Sequence, residues 1–464
     1  MKHKNKKRKT KVRMISKPQL SLFFQWPEHK IGQELQKISQ ILDRHPEFVD
    51  WAHNDLIAGK ESTGDVGMSS EQVLRAAIIK NIRGLSYEEL SFNLSDSVST
   101  RSFLLMDFDE KYSSSCLQDN ISRISESTWE NISKMLVVAA GDRGFESCKK
   151  IRVDSTVTDS NIQYPTDSKL LYDCIRVTDR EFKKARSMAN KKHWRLSSSE
   201  QVKKAKSLRY KINNSKNDAE RLPHYKGILK IAISLKKDLP SMISKIERKL
   251  EKSKSKILKK PLDQLKNVEF YLGKIIYQTE KRILKNQSVP SLKKLVSIFE
   301  PHTDIIVKDR RETQFGHKIF ITSGESNMVL HCDIPEGNPN DSEMYLETLE
   351  SLNNSYGRYP LKVSADGGFA SQENVKKSKE LGVKDICFPK RCNMKITEMV
   401  KSEWVYEKLL NWRAGIEAVI SFLKRCFGLS KANWKGFDGF KKYVRSGVAS
   451  YNLVILARLE MKET

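Results

Sequence analysis

A long helical pattern divides this chain and constrains its fold. Residues 168–300 repeat apolar side chains at helical spacing, as in Ile243, Ile246 and Leu250, and only four prolines interrupt the stretch. One strand-like segment, residues 148–156, comes before this stretch, and the other strand-like segments come after it. The sequence therefore predicts a helical or coiled-coil insertion within a domain that contains a sheet.

Basic residues are concentrated in two segments. The 464-residue chain has a formal net charge of +27 at pH 7. Residues 1–13 carry eight Lys or Arg and no acid, and residues 176–290 carry 32 Lys or Arg against 11 Asp or Glu. A basic excess confined to two regions is typical of a protein that binds a phosphate backbone. The length of the second segment favours nucleic acid over an anionic membrane surface or a solubilising charge bias.

The elements outside the helical stretch predict an α/β fold. Their order is strand, strand, strand, helix, strand, helix, strand and helix. This is the order of an RNase H-like fold, which has a mixed five-stranded sheet with flanking helices. In that fold the first and fourth strands are adjacent.

The apolar spacing and capping residues in 69–135 predict several helices. Two of these helices are joined by a tight turn. Ser69 caps the first of these, and Gly84 and Ser86 supply a turn and a second N-cap. The pattern resembles a helix-turn-helix, which places one helix in the DNA major groove, and a purely structural helical hairpin is the alternative. The predicted domains are a disordered basic arm at 1–13, an all-α DNA-binding region at 14–147, an RNase H-like domain at 148–175 and 301–464, and a basic helical insertion at 176–300.

Three acidic residues are candidates for a metal-dependent site. Asp154 follows the alternating run Lys150–Val153, Asp366 follows the run Leu361–Ala365, and Glu417 lies in an amphipathic helical stretch. Carboxylates at two strand ends and on one helix can converge on two divalent cations, which serve phosphodiester chemistry. The alternative is that the aspartates cap turns and that the glutamate is an ordinary surface residue.

Cysteine usage and hydropathy indicate the compartment. The seven cysteines are scattered and form no CxxC pair, which favours reduced thiols. No apolar run approaches the roughly 20 residues that span a membrane. The basic N-terminus is not followed by the apolar segment of a signal peptide. We therefore expect a cytoplasmic protein without a membrane partner.

A set of short motifs extends over most of residues 65–460. It comprises Val153–Thr156, Asn161–Ser168, Leu170 and Leu171, Phe315–Lys318, Gly337–Asp341, Ala365–Phe369, and the spacing of Arg413, Glu417 and Lys424. Together these motifs resemble bacterial insertion-sequence transposases of the DDE class, and most closely the ISNCY group and its relatives. The chain departs from the pattern at Leu410, where the family often has Tyr. Its insertion also lies between the first and second acids, whereas some relatives carry theirs between the second and third.

The resemblance implies an enzyme that cuts transposon ends and joins them to target DNA by hydrolysis and transesterification. It implies that Asp154 bridges two Mg²⁺ ions, that Asp366 and Glu417 each complete one shell, and that Mn²⁺ can substitute. Arg413 and Lys424 are expected to share a helix face with Glu417 and to hold scissile phosphates, the alternative being a simple Arg413–Glu417 pair. The expected partners are double-stranded DNA, as transposon ends and target, and a second copy of the chain. The expected location is the bacterial nucleoid.

Two other functions remain open. One is a domesticated metal-dependent nuclease that cuts without joining, and the other is a non-enzymatic coiled-coil DNA-binding protein. The presence of all three acids argues against the second.

Several polar and aromatic residues outside the acids have ordinary structural explanations. His317 is expected to be a strand residue, because no second His or Cys has ligand spacing to it. Asp167 and Asp341 are expected to be helix N-caps. Trp404, Trp412 and Trp434 are expected to pack in the core rather than to stack on bases.

Overall fold

The protein is described here from a computed structural model. It divides into two compact units, the first formed by Met1–Asp159 and His317–Thr464 and the second by Ser160–Gly316. The described residues are 10–11, 14, 26, 28–58, 65–107, 109–191, 194, 198–252, 256–307, 312–390 and 392–463. The predicted basic arm lies outside the described residues, apart from Thr10–Lys11 (β1), which pairs in parallel with Asp65–Val66 (β2).

The N-terminal part of the first unit is helical. Its helices are α1 (Lys30–Arg44), α2 (Glu47–Ile57), α3 (Ser70–Arg83), α4 (Tyr87–Asp96), α5 (Val98–Phe103), α6 (Ser114–Ile121) and α7 (Glu126–Asp142). Ser69 and Ser86 each form a capping box at the start of α3 and α4, as their sequence context predicts. Gly84 ends α3 with a φ of +64°, a left-handed conformation that glycine adopts without strain.

Helices α3 and α4 have the order of a helix-turn-helix, but their surfaces do not suit a DNA reader. The first ten residues of α3, Ser70–Ile79, are all buried in the core. Helix α4 carries three acidic residues and no basic one, and its exposed residues include Glu88, Glu89 and Phe92. Like charges would repel this helix from phosphates. The charge pattern favours the structural hairpin, the alternative that the sequence leaves open.

The second unit contains the helices expected for residues 168–300. They are α8 (Asp167–Met188), α9 (Ser198–Asn214), α10 (Asp218–Glu251) and α11 (Lys259–Thr279). These helices bury a core of their own that includes Leu171, Ile228, Leu265 and Leu272. The helical unit begins before residue 176, because α8 already starts at residue 167.

Asp167 does not cap α8, and that expectation is wrong. The N-cap is Thr166, whose hydroxyl accepts from the Lys169 amide. Asp167 is buried instead, where it accepts from Gln278 at 3.0 Å and pairs with Arg282 at 2.7 Å. A buried carboxylate needs such partners, because desolvation penalises its charge.

Most strands of a mixed sheet belong to the first unit, whereas the strand at Asp304–Ile306 belongs to the second. The strands are β3 (Lys150–Ser160), β4 (Asp304–Ile306), β5 (Gln314–Ser323), β6 (Val329–Asp333), β7 (Lys362–Ala365), β8 (Asp385–Cys387) and β9 (Lys431–Ala432). Strands β6, β5, β3, β7 and β8 are neighbours in that order, and β9 also pairs with β3. The pairs β3–β7 and β7–β8 are parallel, whereas β5–β6 is antiparallel. The predicted adjacency of the first strand and the strand before Asp366 is confirmed, but the first strand does not end at Asp154 and continues to Ser160.

Helices complete the first unit around this sheet. They are α12 (Asp341–Tyr356), α13 (Gln372–Glu380), α14 (Ile396–Met399), α15 (Glu403–Arg413), α16 (Gly415–Cys426) and α17 (Gly436–Glu463). Most of α17 is buried, and its Asn452 side chain satisfies both the amide and the carbonyl of Val329 in β6. Among the described residues, no helix has the length and apolar character needed to cross a membrane.

His331 in β6 gives the stability of the fold a pH dependence. Its Nε2 atom is buried and has no hydrogen-bond partner among the described residues, and burial together with the Arg445 charge lowers its pKa to about 4. The unfolded chain binds this proton near pH 6.5, so stability is complete above that pH and falls as the pH drops toward 4. We expect His331 to contribute about 2 kcal/mol to the loss of unfolding free energy between pH 7 and pH 5, measured by urea denaturation. A His331→Gln variant should lack this part of the loss, and an unchanged pH dependence would contradict the assignment.

Candidate active site

Asp154 and Asp366 occupy equivalent positions on adjacent parallel strands. The β3–β7 register runs as far as Val153 opposite Ala365, so the two aspartates are the next residues on both strands. Neighbouring strands lie about 4.8 Å apart, and residues in register point to the same face of a parallel pair. The backbone at Asp366 stays extended, with φ −65° and ψ 160°, before the short helical turn Gly367–Phe369. The register therefore predicts that Asp154 and Asp366 lie side by side just beyond the last paired residues of the two strands.

Arg413 connects Asp366 to Glu417. Its Nη1 atom donates to Asp366 Oδ1 at 3.3 Å, and its Nη2 atom lies 3.9 Å from Glu417 Oε1. The Arg413 side chain is 18% exposed, whereas that of Glu417 is 69% exposed. Among the described residues, the buried Nε atom of Arg413 has no hydrogen-bond partner. Asp366 and Glu417 thus both contact the Arg413 guanidinium, whose Nε donor makes no hydrogen bond with a described residue.

The helix predicted to carry Arg413, Glu417 and Lys424 together is broken. Helix α15 ends at Arg413 and α16 begins at Gly415, with Ala414 between them. The expectation that all three residues share one helix face is therefore wrong for Arg413. Glu417 and Lys424 do share α16, about 10.5 Å apart along its axis. The charge of Lys424 also acts on Asp159. Burial raises the pKa of Asp159 above its usual value, and the positive charges of Lys424 and Lys431 reduce this rise.

Arg152, a residue that sequence reasoning missed, fixes the junction of these helices. Its buried side chain donates from Nη1 to the carbonyl of Trp412 at 3.1 Å and from Nε to Ser323 Oγ at 2.9 Å, and Nη2 donates to Asn327. The guanidinium also lies over the Trp412 ring, 4.8 Å from its centroid. A Cβ atom on Gly415 would overlap Arg152 Nη1. A side chain where α16 begins would therefore have to displace the buried Arg152 guanidinium.

A second polar cluster, also missed, lies beside Asp154 and Asp366. Asp341 accepts from Lys318 Nζ and from Ser155 Oγ, both at 3.0 Å. A Cβ on Gly368 would come within 2.8 Å of Asp341 Oδ2, so the turn after Asp366 packs on this carboxylate. The N-cap of α12 is Asn340, and the expectation that Asp341 is the cap is wrong. In the sequence, the one indication of this cluster is that Lys318 and Asp341 each lie in a motif shared with DDE transposases, Phe315–Lys318 and Gly337–Asp341.

The remaining candidates have structural roles. His317 is a buried strand residue, as expected, with its ring 4.7 Å from that of Phe437 and 4.8 Å from that of Phe440. Trp412 lies between two cations, since Lys150 Nζ is 4.2 Å from its ring centroid and Arg152 covers it as well. This contact leaves Trp412 engaged within the fold. Trp404 is 62% exposed, so the expectation that it packs in the core is wrong.

The donor chemistry of the site suits a hard divalent cation. Three carboxylates supply the oxygen ligands that Mg²⁺ and Mn²⁺ prefer. Among the described residues, however, no group of three or more His, Cys, Asp or Glu side chains is close enough to hold a metal ion. Arg413 supplies the positive charge that Asp366 and Glu417 contact in this structure.

Comparison with known proteins identifies the segment that carries most of this site. Residues 304–453 match the family described as the transposase DDE domain. The match covers about a third of the chain, and over these residues the sequence is similar to a transposase DDE domain. The matched segment contains Asp366, Arg413, Glu417 and Lys424, whereas Asp154 lies before it. Comparisons with curated proteins and with solved structures gave no significant match. The resemblance to DDE transposases is thus confirmed, and the closer likeness to the ISNCY group stays a prediction.

The close approach of Gly415 and Arg152 leads to a testable prediction for the first unit. Gly415→Ala should lower the free energy of unfolding by about 1–3 kcal/mol, because the new methyl group displaces a buried guanidinium. Gly141→Ala is the matched control, since its Cβ would meet no atom closer than 3.4 Å in an ordinary helix. Urea denaturation of both variants measures the difference. Equal stability of the two would show that the junction tolerates a side chain.

Proposed function

We propose that this protein is an insertion-sequence transposase that cuts the ends of its element and joins them to target DNA. Support comes from the transposase DDE domain match and from one geometric observation, that Asp154 and Asp366 each directly follow the last paired residues of β3 and β7, Val153 and Ala365. Carboxylates on adjacent parallel strands are a natural pair of ligands for shared cations. The insertion-sequence class and the joining step go beyond the family match and are part of the proposal.

The proposed ligands of two Mg²⁺ ions are Asp154, Asp366 and Glu417. Divalent ions at such a site activate a hydroxyl nucleophile and stabilise the leaving oxygen of a phosphodiester. Arg413 pairs with both Asp366 and Glu417, so it keeps the helix-borne acid oriented toward the strand-borne one. The Arg413 guanidinium is also proposed to donate to a phosphate oxygen of the DNA. Lys424, two turns after Glu417 on α16, is proposed as a second phosphate contact.

The proposed partner is double-stranded DNA, bound by a dimer that pairs two element ends. Joining two ends to one target needs two sites in one complex, and each chain supplies one set of candidate residues. The second unit holds most of the net positive charge of the chain and is proposed to clamp DNA that flanks the cut or to connect two protomers.

The test uses DNA from both flanks of the gene. Sequencing should reveal terminal inverted repeats bounded by a short target duplication. The purified chain should then cut duplexes that carry these ends in the presence of Mg²⁺ or Mn²⁺, with products resolved on a denaturing gel. Cutting without joining would favour the nuclease alternative, and binding without cutting would overturn the proposed function.

A further inference from the structure

A basic groove lies in the first unit, at the end of α16 farthest from Glu417. Its volume is about 910 Å³, and it is enclosed by the turn between α3 and α4, the end of α16 and the start of α17. Five cationic side chains line it against three acidic ones, Glu88, Glu89 and Asp438. The cations are Lys80, Arg425, Lys431, Lys435 and Lys442.

Three of these cations are available to a ligand. Arg425, Lys431 and Lys435 are exposed, and none of them forms an ion pair with another described residue. The acids are partly engaged, because Asp438 pairs with Lys442 at 2.8 Å and Glu89 accepts from the Ser86 amide at 2.7 Å. The groove therefore has a net positive charge within a concave surface, which attracts an anionic chain.

The position of the groove identifies which part of a substrate would enter it. Glu417 is in the first turn of α16 and Arg425 is in its last turn, so the two lie about 12 Å apart along the helix axis. Successive phosphates of one DNA strand are spaced by about 3.4 Å along the duplex axis. A strand whose scissile phosphate lies at the acids would thus place a phosphate about three to four nucleotides away at the mouth of the groove.

We propose that this groove binds the DNA backbone about three to four nucleotides from the cut. The inference rests on the proposed function for the position of the cut, and it assigns the contact to the α16–α17 side of the unit rather than to helix α4. Helix α4 contributes Glu88 and Glu89 but no cation to the groove, so the phosphate contacts are assigned to the α16–α17 side. Arg425, Lys431 and Lys435 are the contact residues.

The test compares two full-length triple variants with equal loss of charge. One replaces Arg425, Lys431 and Lys435 by Gln, and the control replaces the exposed Lys376, Lys384 and Lys401 by Gln. Three lost phosphate contacts should make the slope of log K against log salt shallower by about 2.7 in the groove variant. The control should change the slope by less than about one unit. Fluorescence anisotropy with an element-end duplex measures both, after urea denaturation has shown that both variants fold.

A second measurement locates the contact. Neutral methylphosphonate linkages, placed one at a time along the cut strand, should weaken wild-type binding at about the third or fourth nucleotide from the cut, and the groove variant should be insensitive there. A groove variant with wild-type slope and a wild-type interference pattern overturns the proposal, even if the protein cuts DNA normally. If the protein cuts nothing but the slope still depends on the groove, the groove stands as a DNA-binding site and only the proposed function fails.

Discussion

Replacing Asp154 or Asp366 by Asn, or Glu417 by Gln, is expected to abolish Mg²⁺-dependent cleavage of element ends. The amide keeps the shape of each side chain but loses the negative charge that holds a divalent ion. Loss of several kcal/mol of transition-state stabilisation corresponds to a fall in rate of roughly a thousandfold or more. Binding of the end duplex should stay within about threefold of wild type, because removing an acid does not remove a phosphate contact. A denaturing gel gives the rate, and anisotropy gives the affinity.

The control for these variants is Glu380→Gln, which neutralises an exposed acid on α13 that forms no ion pair with a described residue. It should cleave at the wild-type rate. A wild-type rate in any one of the three site variants would remove that residue from the proposed ligand set. A loss of rate that is matched by a loss of unfolding free energy would point to a role in folding instead.

Neutralising one face of the second unit is expected to weaken DNA binding strongly. Helices α9 and α10 each present exposed lysines that form no ion pair with a described residue. We expect one of the two helices to contact DNA. Replacing four of its lysines by Gln should make the slope of log K against log salt shallower by up to about 3.6. The two sets are Lys203, Lys204, Lys206 and Lys211 on α9, and Lys226, Lys230, Lys236 and Lys237 on α10.

Lys→Arg changes at the same positions are the matched control, since they keep the charge and the exposed location. These variants should bind with the wild-type slope. An end-pairing assay, in which two labelled duplexes are captured in one complex, tests the dimer role separately. If both Gln sets keep the wild-type slope and pair ends normally, the second unit is a passive helical insertion.

The periodic patterns were sufficient to predict the arrangement of strands and insertion. The helical repeat covers residues 168–300, and alternating runs lie on both sides of it. These runs predict that the first strand pairs with a strand beyond the insertion, as β3 does with β7. Because Asp154 and Asp366 each follow such a run, their adjacency followed from the pairing of the runs. The length of β3 did not follow, since its extension to Ser160 is accompanied by pairing with β9, about 270 residues later.

The arrangement around Arg413 could not be predicted from local sequence. Residues 412–424 have the apolar spacing of one continuous helix, and nothing in that spacing indicates a break at Ala414. Arg152 donates to the Trp412 carbonyl at this junction, and its guanidinium occupies the space that a side chain at position 415 would enter. A contact between residues about 260 positions apart has no signature in a single sequence. The roles of Lys318 and Asp341 were missed for the same reason.

The central claim is that the three acids form the catalytic site of a transposase, and a strand-transfer assay tests it most directly. The chain is incubated with Mg²⁺, an end duplex carrying a free 3′-hydroxyl, and a supercoiled target plasmid. The account predicts that the end becomes covalently joined to the plasmid by the wild-type chain and that Asp366→Asn yields no joined product at equal DNA occupancy. A wild-type chain that binds the end but neither cuts nor joins DNA with Mg²⁺ or Mn²⁺, or an Asp366→Asn variant that joins it normally, would contradict the claim.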